Sequence, residues 1–237
     1  MVNWDLIVVG AGAAGLIAAT RAAEQGLRTL LLEKARKPGV KILMSGGTRC
    51  NLTHATDKKG ILSAFIKPQA NFLQSALAAF TPADLQNYVE AEGIALKTEA
   101  TGKIFPASDS AVDIQMAFVG RLQRSKARLD LGEPVQCIAW DASSSNWTVQ
   151  TALRQLTTPR LMITTGGQSY PGCGTTGDGY RWLAALGHTI ETPKPALVPL
   201  TWNVPWANAL QGITIPETRT AVMDPTISSS KQQILHQ

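Results

Sequence analysis

Asp5-Leu6-Ile7-Val8-Val9-Gly10-Ala11-Gly12-Ala13-Ala14-Gly15 is the stretch that decides the fold. Its first five residues read as a strand, and the unbroken apolar run Leu6–Val9 is the pattern of a strand covered on both faces. The alanine-rich segment Ala13–Gln25 reads as a helix, closed by Gly26, and Arg28–Leu32 reads as a second buried strand ending at Glu33. Strand, helix and strand within about thirty residues make a βαβ unit, whose crossover is right-handed and whose sheet is parallel. Each glycine of the turn has a task. Gly10 permits the tight turn, Gly12 lets a pyrophosphate approach the backbone, and Gly15 lets the helix lie close to the strand. The helix start, at Ala13 and Ala14, offers free N–H groups and the positive dipole end to phosphate. Glu33 stands 18 residues beyond Gly15, where a carboxylate accepts hydrogen bonds from a ribose 2′-hydroxyl. The same charge repels a 2′-phosphate. The unit is therefore expected to hold an ADP-containing dinucleotide and to disfavour NADP in this position.

Outward from that unit, Lys34–Asp57 reads as one long loop, with Pro38, Gly39, Gly46 and Gly47 suiting a backbone that approaches a ligand closely. Helices are expected at Asn71–Phe80 and Pro82–Glu92, the second with Thr81 as N-cap and Pro82 at its first position. Strands near Ile94–Lys97 and Lys103–Phe105 lead to a helix over Ser110–Ser125. Pro134–Trp140 and Trp147–Ala152, joined by Ser143–Asn146, read as a hairpin, and Arg160–Thr165 as a strand returning to the parallel sheet. The glycine-rich loop Gly166–Gly179 feeds a helix, Tyr180–Leu186, ended by Gly187. Beyond Thr189, Pro193, Pro195, Pro199, Pro205 and Pro216 punctuate short β-like pieces. The boundary drawn there gives a Rossmann-like α/β domain at 1–190 and the start of a mainly β inserted domain at 191–237. No internal repeat is found.

The 237 residues are 44% hydrophobic and 16% charged, a composition of ordinary globular proteins. Leu6–Val9 is too short for a membrane helix and lacks the basic flank of a signal peptide, so a cytoplasmic protein with no membrane partner is expected. Cys50, Cys137 and Cys173 lack paired spacing, and His54, His188 and His236 are scattered, so neither a disulfide framework nor a metal site is expected. The net charge of +5 raises nucleic acid as a partner. The dense basic group, Lys34, Arg36, Lys37 and Lys41, instead lies beside the dinucleotide unit, which reads as a local anion preference and no nucleic-acid partner. Cys50, next to Arg49, invites a redox role. Disulfide exchange needs a second cysteine nearby, however, and none lies within twenty residues. The tryptophans follow no stacking period and read as core.

Lys41-Ile42-Leu43-Met44-Ser45-Gly46-Gly47-Thr48-Arg49-Cys50-Asn51-Leu52-Thr53 gathers small residues, amide and hydroxyl donors and two cations, as needed to cradle the second half of an extended cofactor. This segment resembles the Lys-Ile-Leu-Met-Ser-Gly-Gly-Gly-Arg-Cys-Asn signature of the BaiN-like bacterial flavoproteins, named NAD(P)/FAD-dependent or aminoacetone-oxidase-family oxidoreductases. Thr48 replaces the usual third glycine. The resemblance recurs at Thr164-Thr165-Gly166-Gly167, at Ser169-Tyr170-Pro171 with Thr176-Gly177-Asp178-Gly179-Tyr180, at Leu186-Gly187-His188 and at Ala196-Leu197-Val198-Pro199-Leu200, covering most of residues 4–200. It implies FAD as the cofactor, with NADH or NADPH as electron donor and Thr165, Gly166 and Gly167 close to the flavin. The expected FAD-binding residues are Gly10, Gly12, Ala13, Ala14, Gly15, Glu33, Lys34, Lys41, Ser45, Gly46, Gly47, Arg49, Cys50, Asn51, Thr165, Gly166, Gly167 and Asp178. For Thr176–Tyr180 a second reading stands beside it, in which Thr176 and Asp178 simply cap a helix. Gly102–Pro106 reads as a structural turn and strand.

Members of the resembling family are longer, so the chain is expected to stop inside the inserted domain. Three functions follow. The first is a FAD-dependent oxidoreductase passing hydride through flavin N5 to a small organic acceptor such as an enone, or oxidising a small amine with oxygen. The second is an inactive FAD-binding fragment. The third is an RNA-modifying flavoprotein, suggested by the pI near 9.2. No residue stands out as a catalytic acid or base, and the oligomeric state is not indicated.

Overall fold

A computed structural model describes residues 4–195, 205–210, 212–213, 222–223 and 234–236. In chain order it contains β1 (Leu6–Val9), α1 (Ala13–Glu24), β2 (Thr29–Glu33), α2 (Val40–Met44), β3 (Thr53–His54), α3 (Lys58–Ser63), α4 (Lys67–Ala79), α5 (Pro82–Glu90), β4 (Leu96–Thr98) and β5 (Lys103–Pro106). Then come α6 (Ala111–Arg124), β6 (Arg128–Leu131), β7 (Val135–Asp141), β8 (Asn146–Thr151), β9 (Gln155–Thr158), β10 (Leu161–Ile163) and α7 (Asp178–Ala185). The chain divides into two compact units, Met1–Pro193 and Lys194–Gln237. In the second, α8 (Pro205–Ala209) and an antiparallel pair, β11 (Val222–Met223) with β12 (Ile234–His236), are described. The motif Ala196–Leu200 and most of the β-like pieces expected there lie outside the described residues. Among the described residues no helix is long and apolar enough to cross a membrane.

A four-stranded parallel sheet in the order β10-β1-β2-β6 is the frame of the first unit, with Val9 level with both Leu32 and Ile163. Strand side chains alternate, so each face has its own core. Leu6, Val8 and Leu31 point toward α1 and α6, meeting Leu16, Ala19, Ile114, Phe118 and Leu122. Ile7, Val9, Leu30 and Leu32 point the other way, toward Ile138 and Val149 of the β7-β8-β9 sheet and Trp182 of α7. Each of these fully buried aliphatic side chains contributes about 1.5–3 kcal/mol by leaving water. The result is the Rossmann-like α/β fold expected from the amino-terminal stretch, with helices on one face and an antiparallel sheet plus one helix on the other.

Several elements differ from expectation. The long loop after β2 contains a turn of helix, α2, because Gly39 in the left-handed region (φ 69°) reverses the chain and Ile42 buries itself. Helix α4 starts at Lys67 instead of Asn71, since Pro68 suits a first turn. Strand β6 was not expected from the sequence, because Arg-Leu-Asp-Leu alternates charge with apolar residues, the composition of a sheet edge. Thr81 caps α5 as expected and forms a full capping box with Asp84. Helix α7 begins at Asp178, and its N-cap, Gly177, is left-handed with no side-chain cap, so Thr176 and Asp178 do not serve as caps.

Candidate dinucleotide-binding site

The carboxyl ends of β1, β2 and β10 open into a cleft of about 570 Å³, within the size range of cofactor sites. From β1 the chain crosses to β2 on one side, while β10 lies on the other. This is the topological switch point at which open parallel sheets bind ligands. Gly10, Ala11, Gly12, Ala13 and Ala14 form the floor, Glu33 and Lys34 one rim, and Thr164, Thr165 and Gly166 the other.

The glycines of the floor are distinguished by what a side chain would meet. A Cβ on Gly10 (φ 103°) would stand 2.6 Å from the Thr164 carbonyl oxygen, and one on Gly15 would stand 1.9 Å from the Gly10 oxygen. These two residues must be glycine for the turn and the helix to fit together. A Cβ on Gly12 would meet nothing within 4 Å. Gly12 therefore keeps open space for a ligand, not for the protein. It is also the N-cap of α1 and carries no side-chain cap, so the first N–H groups of that helix face the cleft unpaired by any side chain. Thr164 locks the floor by donating its hydroxyl to the Gly10 carbonyl at 2.8 Å.

Glu33 is held rigidly. One carboxylate oxygen accepts from the Ala11 N–H at 2.7 Å and the other from the Ala35 N–H at 2.8 Å. Each oxygen keeps lone pairs for further donors, so the carboxylate is oriented before any ribose arrives. Lys34 reaches across the cleft mouth to Thr176 Oγ1 and Asp178 Oδ2, both at 2.7 Å. Burial pushes the Asp178 carboxyl up, but hydrogen bonds from Lys34, Arg181 and Thr176 outweigh it and hold the pKa at about 2. Lys41 donates to the Ser169 carbonyl at 2.9 Å and its hydroxyl at 3.1 Å. Two lysines thus tie the loop 166–179 to the segment after β2. Lys37 lines the cleft, is exposed, and has no ion pair among the described residues.

Of the residues expected from sequence, the cleft gathers Gly10, Gly12, Ala13, Ala14, Glu33, Lys34, Lys41, Ser45, Cys50, Asn51, Thr165, Gly166 and Asp178. Gly15 lies behind it as packing, and Gly46, Gly47, Arg49 and Gly167 do not line it. Gly46, Gly47 and Thr48 take three successive positive φ angles (57°, 66° and 69°), which turn the loop outward. Arg49 follows that turn to Glu99 at 2.6 Å and lies 4.1 Å over the Phe105 ring. The Cys50 thiol is buried and its pKa is pushed up by that burial, with Ser45 as hydrogen-bond partner. Arg49, aimed elsewhere, does not activate it. Lys37, Gly39 and Leu52, read from the sequence as near the ligand but not counted among its binding residues, also line the cleft, and sequence reading missed two flanks: Ile17, Leu85, Ile114 and Phe118 on the helical side, and Glu133, Val135 and Trp182 on the other. Thr164 stood in a recognised motif; the flanks carry no local signal.

A parallel sheet with a glycine-turn cleft at its switch point and a fixed acidic residue on the second strand defines a Rossmann-type dinucleotide-binding protein. The model of the HI0933-like protein Rossmann domain matches residues 4–231, and the chain belongs to this family of FAD-binding Rossmann-type proteins. It is 34% identical over 224 residues to a ribosomal RNA dihydrouridine synthase of Escherichia coli, covering 93% of this chain and 54% of that one. It is 28% identical over 196 residues to a 3-dehydro-bile acid delta(4,6)-reductase of Clostridium scindens, covering 81% and 46%. Among solved structures, a 3-ketosteroid-delta4-(5alpha)-dehydrogenase of Rhodococcus jostii shares the fold at a TM-score of 0.53 and 16% identity, covering 71% of this chain and 47% of that one. The chain spans about half the length of the curated relatives it matches.

Proposed function

We propose that this chain is the cofactor-binding part of a FAD-dependent reductase that saturates a carbon–carbon double bond conjugated to a carbonyl, the uracil ring of RNA being its substrate. The observation that carries the reading is the alignment of 93% of the chain with a protein named for making dihydrouridine in ribosomal RNA. The bile acid reductase name denotes the same chemistry on another framework, since a 3-oxo group beside delta(4,6) double bonds is a conjugated enone. On a uracil ring, hydride would add to the ring carbon β to the carbonyl and a proton to the α carbon. On sequence alone a small organic acceptor comes first and RNA, suggested by the basic pI, third; the names of the relatives favour RNA.

The cleft suits FAD. The unfilled space above Gly12 and the uncapped start of α1 suit a pyrophosphate. The doubly anchored Glu33 suits a ribose, and Lys37, with no ion pair among the described residues, supplies a cation beside the floor. When bound, FAD supplies two-electron transfer, taking hydride from NADH or NADPH and delivering it from N5. Ser45, Cys50 and Asn51 lie along the same cleft and bound the space left to the rest of the cofactor. The protein's part is to orient and to keep water away, with the apolar flank of Ile17, Leu85, Ile114 and Phe118 beside it.

The test is a FAD titration followed by absorbance, anaerobic addition of NADH and of NADPH, and nucleoside analysis of a uridine-containing RNA incubated with the reduced protein. Dihydrouridine is the expected product. A chain that takes up FAD, is chemically reduced and still leaves every uridine unchanged overturns the substrate half of the proposal and leaves the inactive-fragment reading. A chain that takes up no FAD overturns the whole.

A further inference from the structure

The linker between β6 and β7 is bonded on two sides. Its main chain reaches the segment after β2, the Gly132 N–H donating to the Ala35 carbonyl and the Glu133 N–H to the Glu33 carbonyl, both at 3.0 Å. Its side chains reach the turn between β8 and β9. The Glu133 carboxylate, 4% exposed, accepts from Arg154 Nε at 2.9 Å, from a second nitrogen of that guanidinium at 2.8 Å and from the Thr151 hydroxyl at 2.8 Å. Arg154 also donates to Asp130. The turn itself holds Arg154 in place, its N–H donating to Thr151 Oγ1 at 3.0 Å and its carbonyl accepting from the Thr151 N–H at 2.9 Å. Two nitrogens of one planar fork on one carboxylate fix direction as well as distance. A shielded ion pair adds little stability over an apolar pair of the same volume. What this pair adds is a fixed place for Glu133, which lines the cofactor cleft with Val135 and Trp182. Just beyond, the strand register shifts between Val135 and Cys137, and Trp182 Nε1 donates to the Gln136 carbonyl at 3.1 Å.

We infer that Arg154, which does not itself line the cleft, is a positioning residue for the adenosine half of the cofactor: its grip on Glu133 holds residues 133–135 as the wall beside the adenine ring. This rests on the reading of the cleft as a FAD site. With the pyrophosphate over Gly12 and the ribose 2′-hydroxyl on Glu33, the base is bonded to the ribose carbon next to that hydroxyl. It therefore lies beside Glu33, on the side away from Gly12. The cleft wall joined to Glu33 by a main-chain bond is Glu133, and Val135 and Trp182 add the apolar surface that suits a flat ring. Among the described residues Arg154 is the one cation paired with Glu133. A wall held by a locked neighbour keeps its shape before the ligand arrives, and that spares the cost of ordering it on binding.

The experiment titrates FAD, ADP and FMN by calorimetry into the 237-residue chain and into Arg154→Met. ADP carries the adenosine half alone, and FMN lacks the adenosine. Arg154→Met should weaken FAD and ADP by the same factor, about two- to thirtyfold for a residue that acts without touching the ligand, and leave FMN as the parent binds it. Because Arg154→Met strips a shielded carboxylate of its cation, Glu133→Gln with Arg154→Met, in which neither charge remains, is measured beside it. This double variant should melt close to the parent and show the same paired loss of FAD and ADP. Parent-like ADP binding by the double variant overturns the inference, as does an equal loss for FMN, or a loss for FAD that ADP does not share. If the parent takes up no FMN, equal losses for FAD and ADP in a double variant that melts as the parent does carry the inference, and unequal ones overturn it. A parent that binds neither FAD nor ADP overturns the FAD reading of the cleft. A parent that binds FAD with an affinity indifferent to Arg154 leaves that reading standing and removes the positioning role.

Discussion

At the scale of single residues, glycines three positions apart answer to different masters. Gly15 is required by the protein and Gly12 by the ligand, and this difference is measurable. Gly12 has an ordinary negative φ of −73° and open space where a side chain would go, so Gly12→Val should leave the melting temperature nearly unchanged while abolishing FAD binding. Gly15→Ala must push a methyl group into the Gly10 carbonyl and should cost about 1–3 kcal/mol of stability through overpacking. Calorimetry and FAD titration on the pair would sink the distinction if both variants lost the same property. Thr48 poses another question. Its φ of 69° places a β-branched residue in the left-handed region, a strain of about 1–3 kcal/mol. Thr48→Gly removes it and loses about 0.4–1 kcal/mol to the looser unfolded chain. The net gain of about 1 kcal/mol should raise the melting temperature by about 2–4 °C. Thr48 is exposed and does not line the cleft, so FAD affinity should follow only as far as the loop stiffens. A melting temperature that falls would show that the threonine is not strained.

Elements matter next, because the cleft has a wall only where loop 166–179 is tied down. The tie is the Lys34 to Asp178 pair, with Asp178 mostly shielded from solvent. Its carboxyl sits at about 2 when folded against an ordinary value of 3.8. A pKa lowered by folding contributes stability that is complete above the unfolded value and is lost as the pH falls through the folded one. The contribution, of order 2 kcal/mol, should therefore be present above about pH 4 and vanish toward pH 2. Asp178→Asn should lose it at neutral pH and show a flatter acid limb in urea unfolding. Superimposable acid limbs would remove this pair from the stability of the loop. The same pair shows how much could be read in advance. The Gly10–Gly15 turn, Glu33 and the β1–α1–β2 unit were legible because their signals are local spacings, whereas edge strand β6 was not. Lys34 was legible as a site neighbour, but its partner lies 144 residues away. Glu133 and Trp182 reach the cleft only through packing of the second face. Arg49 does not line the cleft; three successive left-handed residues precede it, a turn that one threonine among glycines does not announce.

For the molecule as a whole, every residue that lines the cleft falls between Val9 and Trp182, inside the unit Met1–Pro193. That unit has its own sheet and a core on each face, which are the conditions for folding alone. Cofactor binding should then belong to it. A chain ending at Pro193 is expected to unfold cooperatively and to bind FAD as the 237-residue chain does. Ligand present at a hundred times its dissociation constant stabilises the form that binds it by about 2.7 kcal/mol. For a chain of this size that raises the melting temperature by about 5–11 °C. The shorter and longer chains should show the same rise with FAD, measured at matched multiples of their own dissociation constants, and those constants should agree within about threefold, which is less than 1 kcal/mol. A shorter chain that folds but shows no rise with FAD would mean that Lys194–Gln237 completes the site, and the cleft described at the ends of β1, β2 and β10 would then not be sufficient for the cofactor.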